Sequence, residues 1–284
     1  MIPAAFDYVA PTTVDDAVRA LAEAGEDAKV IAGGQSLLPV LRMRLAAPSK
    51  LIDLGKVAEL RGIREDGDSI VIGAMTTHYD VQRDPLVAEH AALLAEATNT
   101  VADPQVRHRG TFGGSLAHAD PAGDLLAPAL ALDAELVVSG MDGRRTVAAA
   151  DFFTDFFTTS LRPGEILVEV RVPKKTGWTA HYEKFNRVAQ AWSIVAVAAA
   201  VRVEGGSIAE VRVGLTNMAA TPVRATAVER ALVGQPATAE AINAAAQHAA
   251  EGTSPTADGN ADAEFRQHLA RVLTSRAVSA AVGA

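Results

Sequence analysis

Side chains that could act on a substrate are few and scattered in this chain. Seven histidines (His78, His90, His108, His118, His181, His248 and His268) contain no His-x-x-x-His or His-Glu-x-x-His pair. Each therefore reads as a surface or structural residue rather than a metal ligand. No Gly-x-Ser-x-Gly elbow is present, and cysteine is absent altogether. A thiolate nucleophile, cysteine-held zinc, a disulfide and a cysteine-held iron-sulfur cluster are all excluded from the chain. Chemistry here would have to be carried by a bound cofactor.

Glycine supplies the other signal. Ala32-Gly33-Gly34-Gln35-Ser36-Leu37-Leu38-Pro39 follows the apolar Val30-Ile31, and a second pair lies in Thr111-Phe112-Gly113-Gly114-Ser115, which runs on through His118 to Asp124. Paired glycines allow positive φ and close backbone approach, and successive N–H groups turned one way make an anion cradle. Each loop taken alone reads equally well as a plain tight turn. The second is longer than a turn needs and shows no clear strand or helix period, which favours function. Together they suggest two walls of one phosphate site. The Gly-x-Gly-x-x-Gly fingerprint is not met after Gly34, and no Gly-Lys-Ser or Gly-Lys-Thr occurs. Among dinucleotides that favours FAD over NAD.

Composition sets the outer limits. The chain has 284 residues, 49% hydrophobic and 21% charged, with a net charge of -8. It is globular rather than disordered, and it lacks the basic stripe that a nucleic-acid partner would need. The most apolar run, Ser193 to Val201, is too short to cross a bilayer, and no basic segment precedes an apolar one at the N-terminus. The expectation is a cytoplasmic protein without a transmembrane segment, able to reach the inner face of the membrane only through partners.

The elements that would hold the loops follow from periodicity. Residues 6–31 read as a β-α-β unit ending in the first Gly-Gly loop, with Gly25 as the helix stop. Leu37–Leu45 reads as a short helix and Leu51–Asp53 as a third parallel strand. Ile63–Gly73 is a hairpin turning at Asp66-Gly67-Asp68. Thr77–Val101 is expected to be helical, followed by the glycine stretch and a helix over Leu125–Leu132. Glu135–Ser139 and Arg144–Val147 form another hairpin, and Ile166–Val172 a strand closed by Pro173. Beyond a linker at Lys174–Gly177, Ala180–Phe185, Ser193–Val203 and Ile208–Leu215 form an antiparallel meander with Gly205-Gly206 as a turn. Helices are expected from Thr221-Pro222 to Val233, after Thr238, and over Ala263–Val282. The fold class is α+β: an FAD-binding domain over 1–176, with a small parallel β-α-β part and a mixed or antiparallel sheet part, then a C-terminal domain over 177–284 made of the meander and a helix bundle.

Residues 32–39 and Arg109-Gly110-Thr111-Phe112-Gly113-Gly114-Ser115-Leu116-Ala117-His118-Ala119-Asp120-Pro121, with Asp103-Pro104-Gln105-Val106-Arg107 upstream, closely resemble the FAD-binding medium subunits of molybdenum hydroxylases, nearest to the aerobic carbon monoxide dehydrogenase type. The resemblance covers essentially the whole chain. It implies a vanillyl-alcohol-oxidase-like FAD domain in which Ala32, Gly33, Gly34, Gln35 and Ser36 on one side, and Thr111, Phe112, Gly113, Gly114 and Ser115 on the other, wrap the FAD pyrophosphate through backbone N–H groups, with the flanking Val30, Ile31 and Leu37 also among the cofactor-binding residues. By the same resemblance Asp124 binds the adenosine part, Lys184 stands near the flavin ring, and Val101 and Leu167 line the cofactor. Asp124 also suits a helix N-cap, and Leu167 suits plain core. Phe112 departs from the usual β-branched residue, and Trp192 either stacks on the ring or is a packed core aromatic.

A chain without cysteine cannot carry the [2Fe-2S] clusters that serve such complexes. The resemblance thus implies an electron-transfer subunit fed by a small iron-sulfur subunit, beside a large molybdenum subunit, as a dimer of heterotrimers. FAD would pass the electrons to an external acceptor such as a quinone. A self-contained flavin oxidase or reductase is the alternative, and would require a base beside the flavin.

Overall fold

The computed structural model describes residues 2–283. It begins with β1 (Asp7–Val9), α1 (Val14–Ala24), β2 (Ala28–Ile31), α2 (Leu37–Arg42) and β3 (Lys50–Asp53), whose strands form a parallel sheet in the order β1-β3-β2. The Thr13 hydroxyl caps α1 by accepting the Asp16 N–H, one of the first-turn donors that a helix leaves unpaired. Val14, Ala17 and Val18 bury one face of that helix, and Gly25 ends it at φ 73°. β2 then delivers the first glycine loop, as the β-α-β reading requires.

A second sheet follows. β4 (Ile63–Asp66) and β5 (Ser69–Gly73) form the expected hairpin. After it come α3 (His78–Val81), α4 (Pro85–His90), α5 (Ala92–Asn99), α6 (Pro104–Arg107), α7 (Phe112–His118) and α8 (Leu126–Ala131). β6 (Glu135–Gly140) and β7 (Gly143–Ala148) pair as the next hairpin, and α9 (Ala149–Phe152), β8 (Phe153–Asp155), β9 (Thr158–Thr159) and β10 (Ile166–Pro173) close this half. The five-stranded antiparallel order is β4-β5-β10-β6-β7. A bulge between Leu167 and Glu169 frees the Val168 carbonyl to accept the Ala74 N–H at 2.9 Å.

Three expectations are corrected. The helix expected over Thr77–Val101 is three short ones, because the Asp84 carboxylate caps a fresh start at Pro85 and Ala91 leaves the helical region before α5. The stretch expected to lack a period contains α7, with the Thr111 hydroxyl accepting the Gly114 N–H at its start. Two glycines in its first turn lower helix propensity enough to conceal it. Thr221 and Pro222 open no helix: β14 (Val223–Arg224) pairs with the preceding strand, and α10 (Thr226–Leu232) begins later.

The C-terminal sheet has the order β11-β12-β13-β14, with β11 (Thr179–Phe185), β12 (Val195–Glu204) and β13 (Ser207–Thr216) forming the meander. Gly205 and Gly206 turn it with φ 57° and 81°, the pair of positive angles a tight hairpin demands. α11 (Ala239–Ala246) and α12 (Ala263–Val282) complete the helical layer. β12 is buried on both faces. Val195, Val197, Ala199 and Val201 join the core under the helices, while Ala196, Ala198 and Ala200 join the core of the first half.

Candidate cofactor-binding site

The two glycine motifs meet. A Cβ on Gly33 would stand 2.2 Å from the Arg109 carbonyl oxygen and 2.7 Å from Gly110 Cα, and one on Gly114 would stand 3.3 Å from the Ala32 Cβ. A Cβ on Gly113 would collide with Ala74, whose own position is held by the β10 bulge, at 2.5 Å. Of the four glycines only Gly34 has positive φ, at 75°. The expected conformational freedom is used once; Gly33 and Gly113 are small because another segment's backbone lies against them, and Gly114 because the Thr111 and Ala32 side chains do.

Hydrogen-bond accounting separates the two walls. In the second motif the N–H of Phe112 goes to the Thr76 carbonyl, that of Gly113 to the Ala74 carbonyl, that of Gly114 to the Thr111 hydroxyl and that of Ser115 to the Thr111 carbonyl. Those four are satisfied within the chain, whereas the Thr111 N–H meets no acceptor among the described residues. In the first motif the N–H groups of Gly33, Gly34, Gln35 and Ser36 meet no acceptor among the described residues. Four successive unpaired amides form the kind of concavity that binds anions. The two loops therefore differ: the first keeps four successive N–H groups unpaired, while the second has most of its own committed within the chain.

Between the motifs lies an apolar cavity of about 90 Å³ lined by Val30, Ala32, Gly113, Gly114, Ala117 and Leu167 among others. Leu167 is buried, so it is core and cavity wall at once. Ile31, Ser36, Leu37 and Ser115 are half-buried and Gln35 is exposed, its side-chain amide donating to the Gly33 carbonyl at 3.1 Å. Phe112 is fully buried and faces the core rather than a ligand. Val101 is half-buried against the main core, and its carbonyl accepts from Arg107 at 2.8 Å.

Asp124 is the centre of a buried polar cluster. Its Oδ2 accepts from Lys184 Nζ at 2.7 Å, and its Oδ1 from Ser193 Oγ at 2.7 Å and Tyr182 Oη at 3.0 Å. Burial pushes this carboxyl above its ordinary value, against the pull of the lysine charge and the three donors. Burial and the adjacent carboxylate drive the Tyr182 phenol well above its usual value, so it remains a donor. Lys184 also donates to the Thr100 carbonyl at 3.1 Å. An ammonium has three donors, and the third meets no acceptor among the described residues. Asp124 is no N-cap, since α8 is preceded by Leu125 and has no side-chain cap. Its contact with Lys184 also means that the two cannot serve opposite ends of an extended dinucleotide.

Trp192 is 55% exposed, which rules out the packed-core reading. It lines a cleft of about 290 Å³ with Asp120, Arg187, Ser193, Asn217 and Asp258. This cleft adjoins the far end of the Thr111–Asp124 stretch. A seven-residue helix, roughly 10 Å long, separates it in sequence from the first cavity.

A family model described as the FAD binding domain in molybdopterin dehydrogenase matches residues 4–175, and one described as the CO dehydrogenase flavoprotein C-terminal domain matches residues 180–281. The chain belongs to the FAD-binding medium subunits of the molybdenum hydroxylases. It is 43% identical over 284 residues to the carbon monoxide dehydrogenase medium chain of Hydrogenophaga pseudoflava, covering 99% of this chain and 98% of that one. A solved carbon monoxide dehydrogenase from the same organism, lacking the Mo-pyranopterin moiety, superposes with a TM-score of 0.96 at 44% identity, covering 100% of this chain and 99% of the other. Quinoline 2-oxidoreductase from Pseudomonas putida 86 superposes with a TM-score of 0.95 at 34% identity and the same coverage. No helix among the described residues is long and apolar enough to cross a membrane.

For such a flavin subunit the unpaired amides, the spare lysine donor and the apolar cavity fit an anionic, partly aromatic cofactor. Three residues of the site escaped the sequence reading: Tyr182, Ser193 and Asn217. Tyr182 and Lys184 lie two apart on β11 and so on one face, a signal that was available. Ser193 and Asn217 leave no such trace, because only the tertiary fold brings them to Asp124 and to the cleft.

Proposed function

We propose that this oxidoreductase subunit carries FAD as an electron relay of the aerobic carbon monoxide dehydrogenase type. It accepts electrons from [2Fe-2S] clusters on a small partner subunit, beside a large molybdenum subunit, and delivers them to an external acceptor. The observation that carries the reading is the run of four unpaired amides at Gly33, Gly34, Gln35 and Ser36, packed against the second glycine motif. When bound, FAD supplies a two-electron carrier that no side chain here can replace.

Each residue then has a task. The amides of 33–36 hold the pyrophosphate, and the second motif sets their height by packing. The Lys184 ammonium, paired with Asp124, presents its third donor to an electron-rich atom. Tyr182 and Ser193 keep the Asp124 carboxylate turned to the lysine. Trp192 covers one side of the cleft. Residues Val30, Ile31, Ala32, Leu37, Val101 and Leu167 supply apolar contact. The two matched regions support a boundary near residue 176 between the FAD-binding and C-terminal domains.

Reconstituting the purified chain with FAD tests the reading. Stoichiometric binding with a flavin band near about 450 nm, and re-reduction only when the iron-sulfur partner is added with an electron donor, are expected. A chain that takes up no FAD refutes the flavin role. Direct oxidation of a substrate by the chain alone refutes the relay role.

A further inference from the structure

Asn217 follows directly on β13 and sits in the left-handed region at φ 62°. Asparagine tolerates that conformation better than most residues. From it the side chain reaches back across the sheet. Nδ2 donates to the Ser193 carbonyl at 2.8 Å and to the Ile194 carbonyl at 3.3 Å, while the Asn217 backbone N–H donates to the Pro121 carbonyl at 2.9 Å. One residue thereby joins the end of the Thr111–Asp124 stretch to the segment that bears Trp192 and Ser193.

A second tether acts on the same segment. Arg266, on α12, is buried; its guanidinium donates to the Ile194 carbonyl and pairs with Asp258 at 2.7 Å. Trp192, Ser193, Ile194, Asn217 and Asp258 all line the cleft. The Ser193 hydroxyl in turn is one of the Asp124 donors. A shift of the 192–194 backbone would therefore move the indole, the cleft wall and the acid that holds Lys184 together.

We propose that Asn217 is a positioning residue of the flavin site: its carboxamide registers the Trp192–Ile194 segment against Pro121 and so orients the Trp192 ring and the Ser193 donor. The proposal rests on the flavin reading above. Asn217 and its partners bond at the far end of the second glycine stretch, away from Gly113 and Gly114, so its effect is on the orientation of the cleft end.

Two variants separate the side-chain bonds from the backbone conformation. Asn217→Asp keeps the shape and the left-handed tolerance but has no donor, and Asn217→Gly keeps the φ and has no side chain. Amide exchange is measured in the FAD-free protein over 190–195 and 119–124, then FAD affinity and the visible circular dichroism of the bound flavin. Both variants should exchange at least tenfold faster over 190–195, bind FAD at least tenfold more weakly and change the flavin dichroism. Far-UV spectra should match the wild type. Wild-type exchange over 190–195 in either folded variant overturns the tether. Faster exchange with FAD affinity within twofold of wild type and unchanged dichroism overturns the flavin role. Should the wild type itself bind no FAD, the flavin reading and that half of the proposal fall together, and the exchange result alone decides the tether. With two variants compatible with the backbone, a folding failure in one leaves the other to decide.

Discussion

Replacing Gly33 by alanine would place one methyl carbon 2.2 Å from the Arg109 carbonyl oxygen and 2.7 Å from Gly110 Cα. Both neighbours are backbone, so neither can swing aside. Ordinary contact begins at 3.4 Å, and the loop must therefore retreat by about 1.2 Å, a shift that turns a hydrogen bond of about 2.9 Å into a separation of about 4.1 Å. Gly33 has no positive φ, so the effect is steric and not one of backbone strain. Losing one charge-assisted bond costs about 1.5–3 kcal/mol, which is roughly a 10- to 150-fold rise in the FAD dissociation constant. The forced separation should also cost about 1–3 kcal/mol of folding stability. Fluorescence titration with FAD and urea unfolding measure the two effects. Gly67→Ala is the control: at φ 57° with nothing within 4 Å of a new Cβ, it should lose some stability through strain and leave FAD affinity unchanged. A Gly33→Ala protein that binds FAD within twofold of wild type would refute the amide cradle at 33–36.

Other expectations follow from the same contacts. Asp124→Asn leaves the buried Lys184 ammonium without its counter-charge and should destabilise the fold by about 3–5 kcal/mol; urea midpoints should show Asp124→Asn/Lys184→Met recovering part of that loss, and an additive double variant would argue against coupling. Gly113→Ala puts a Cβ 2.5 Å from that of Ala74, so it should lower the melting temperature even without FAD, whereas an effect confined to FAD affinity would return the second motif to direct ligand contact. His78 is buried, and burial with the nearby Arg107 charge lowers its pKa to about 4 from 6.5. A depressed histidine contributes stability that is present above pH 6.5 and lost as pH falls towards 4. That loss amounts to about 3 kcal/mol, and unfolding curves of His78→Leu should lack this part of the acid slope.

Much of the architecture could be read from local pattern. The β-α-β entry, both hairpins, the meander and α12 have clear periods, caps or turn glycines, and the structure places them where those signals lie. The failures share a cause. α7 was concealed by Gly113 and Gly114, which weaken a helix locally but are required where α7 crosses Ala74 and packs beside Ala32, respectively. Thr221-Pro222 carries a sound capping signal that β-pairing of Val223 with Leu215 overrides. The structure brings the two glycine pairs together, yet the reason for each glycine had to come from contacts far apart in sequence. Gly33 is small because of Arg109, and no window around residue 33 contains that information. The same holds for the acid cluster, where Asp124 gathers donors 58 and 69 positions away.

β12 carries a consequence of its own. Val195, Val197, Ala199 and Val201 face the helices of the C-terminal half and Ala196, Ala198 and Ala200 face the core of the first half, so one strand is the common wall of both. Neither half can expose its side of that wall without stripping the other. The chain should accordingly melt as one unit in calorimetry, with no separate transition for the C-terminal half. The alanine face also keeps the halves close, for a Cβ on Gly214 of the adjacent strand would stand only 2.5 Å from the Ala127 carbonyl. A flavin subunit built across such a shared wall has no hinge to open. Under the proposed relay role, the distance an electron must cover is set at folding.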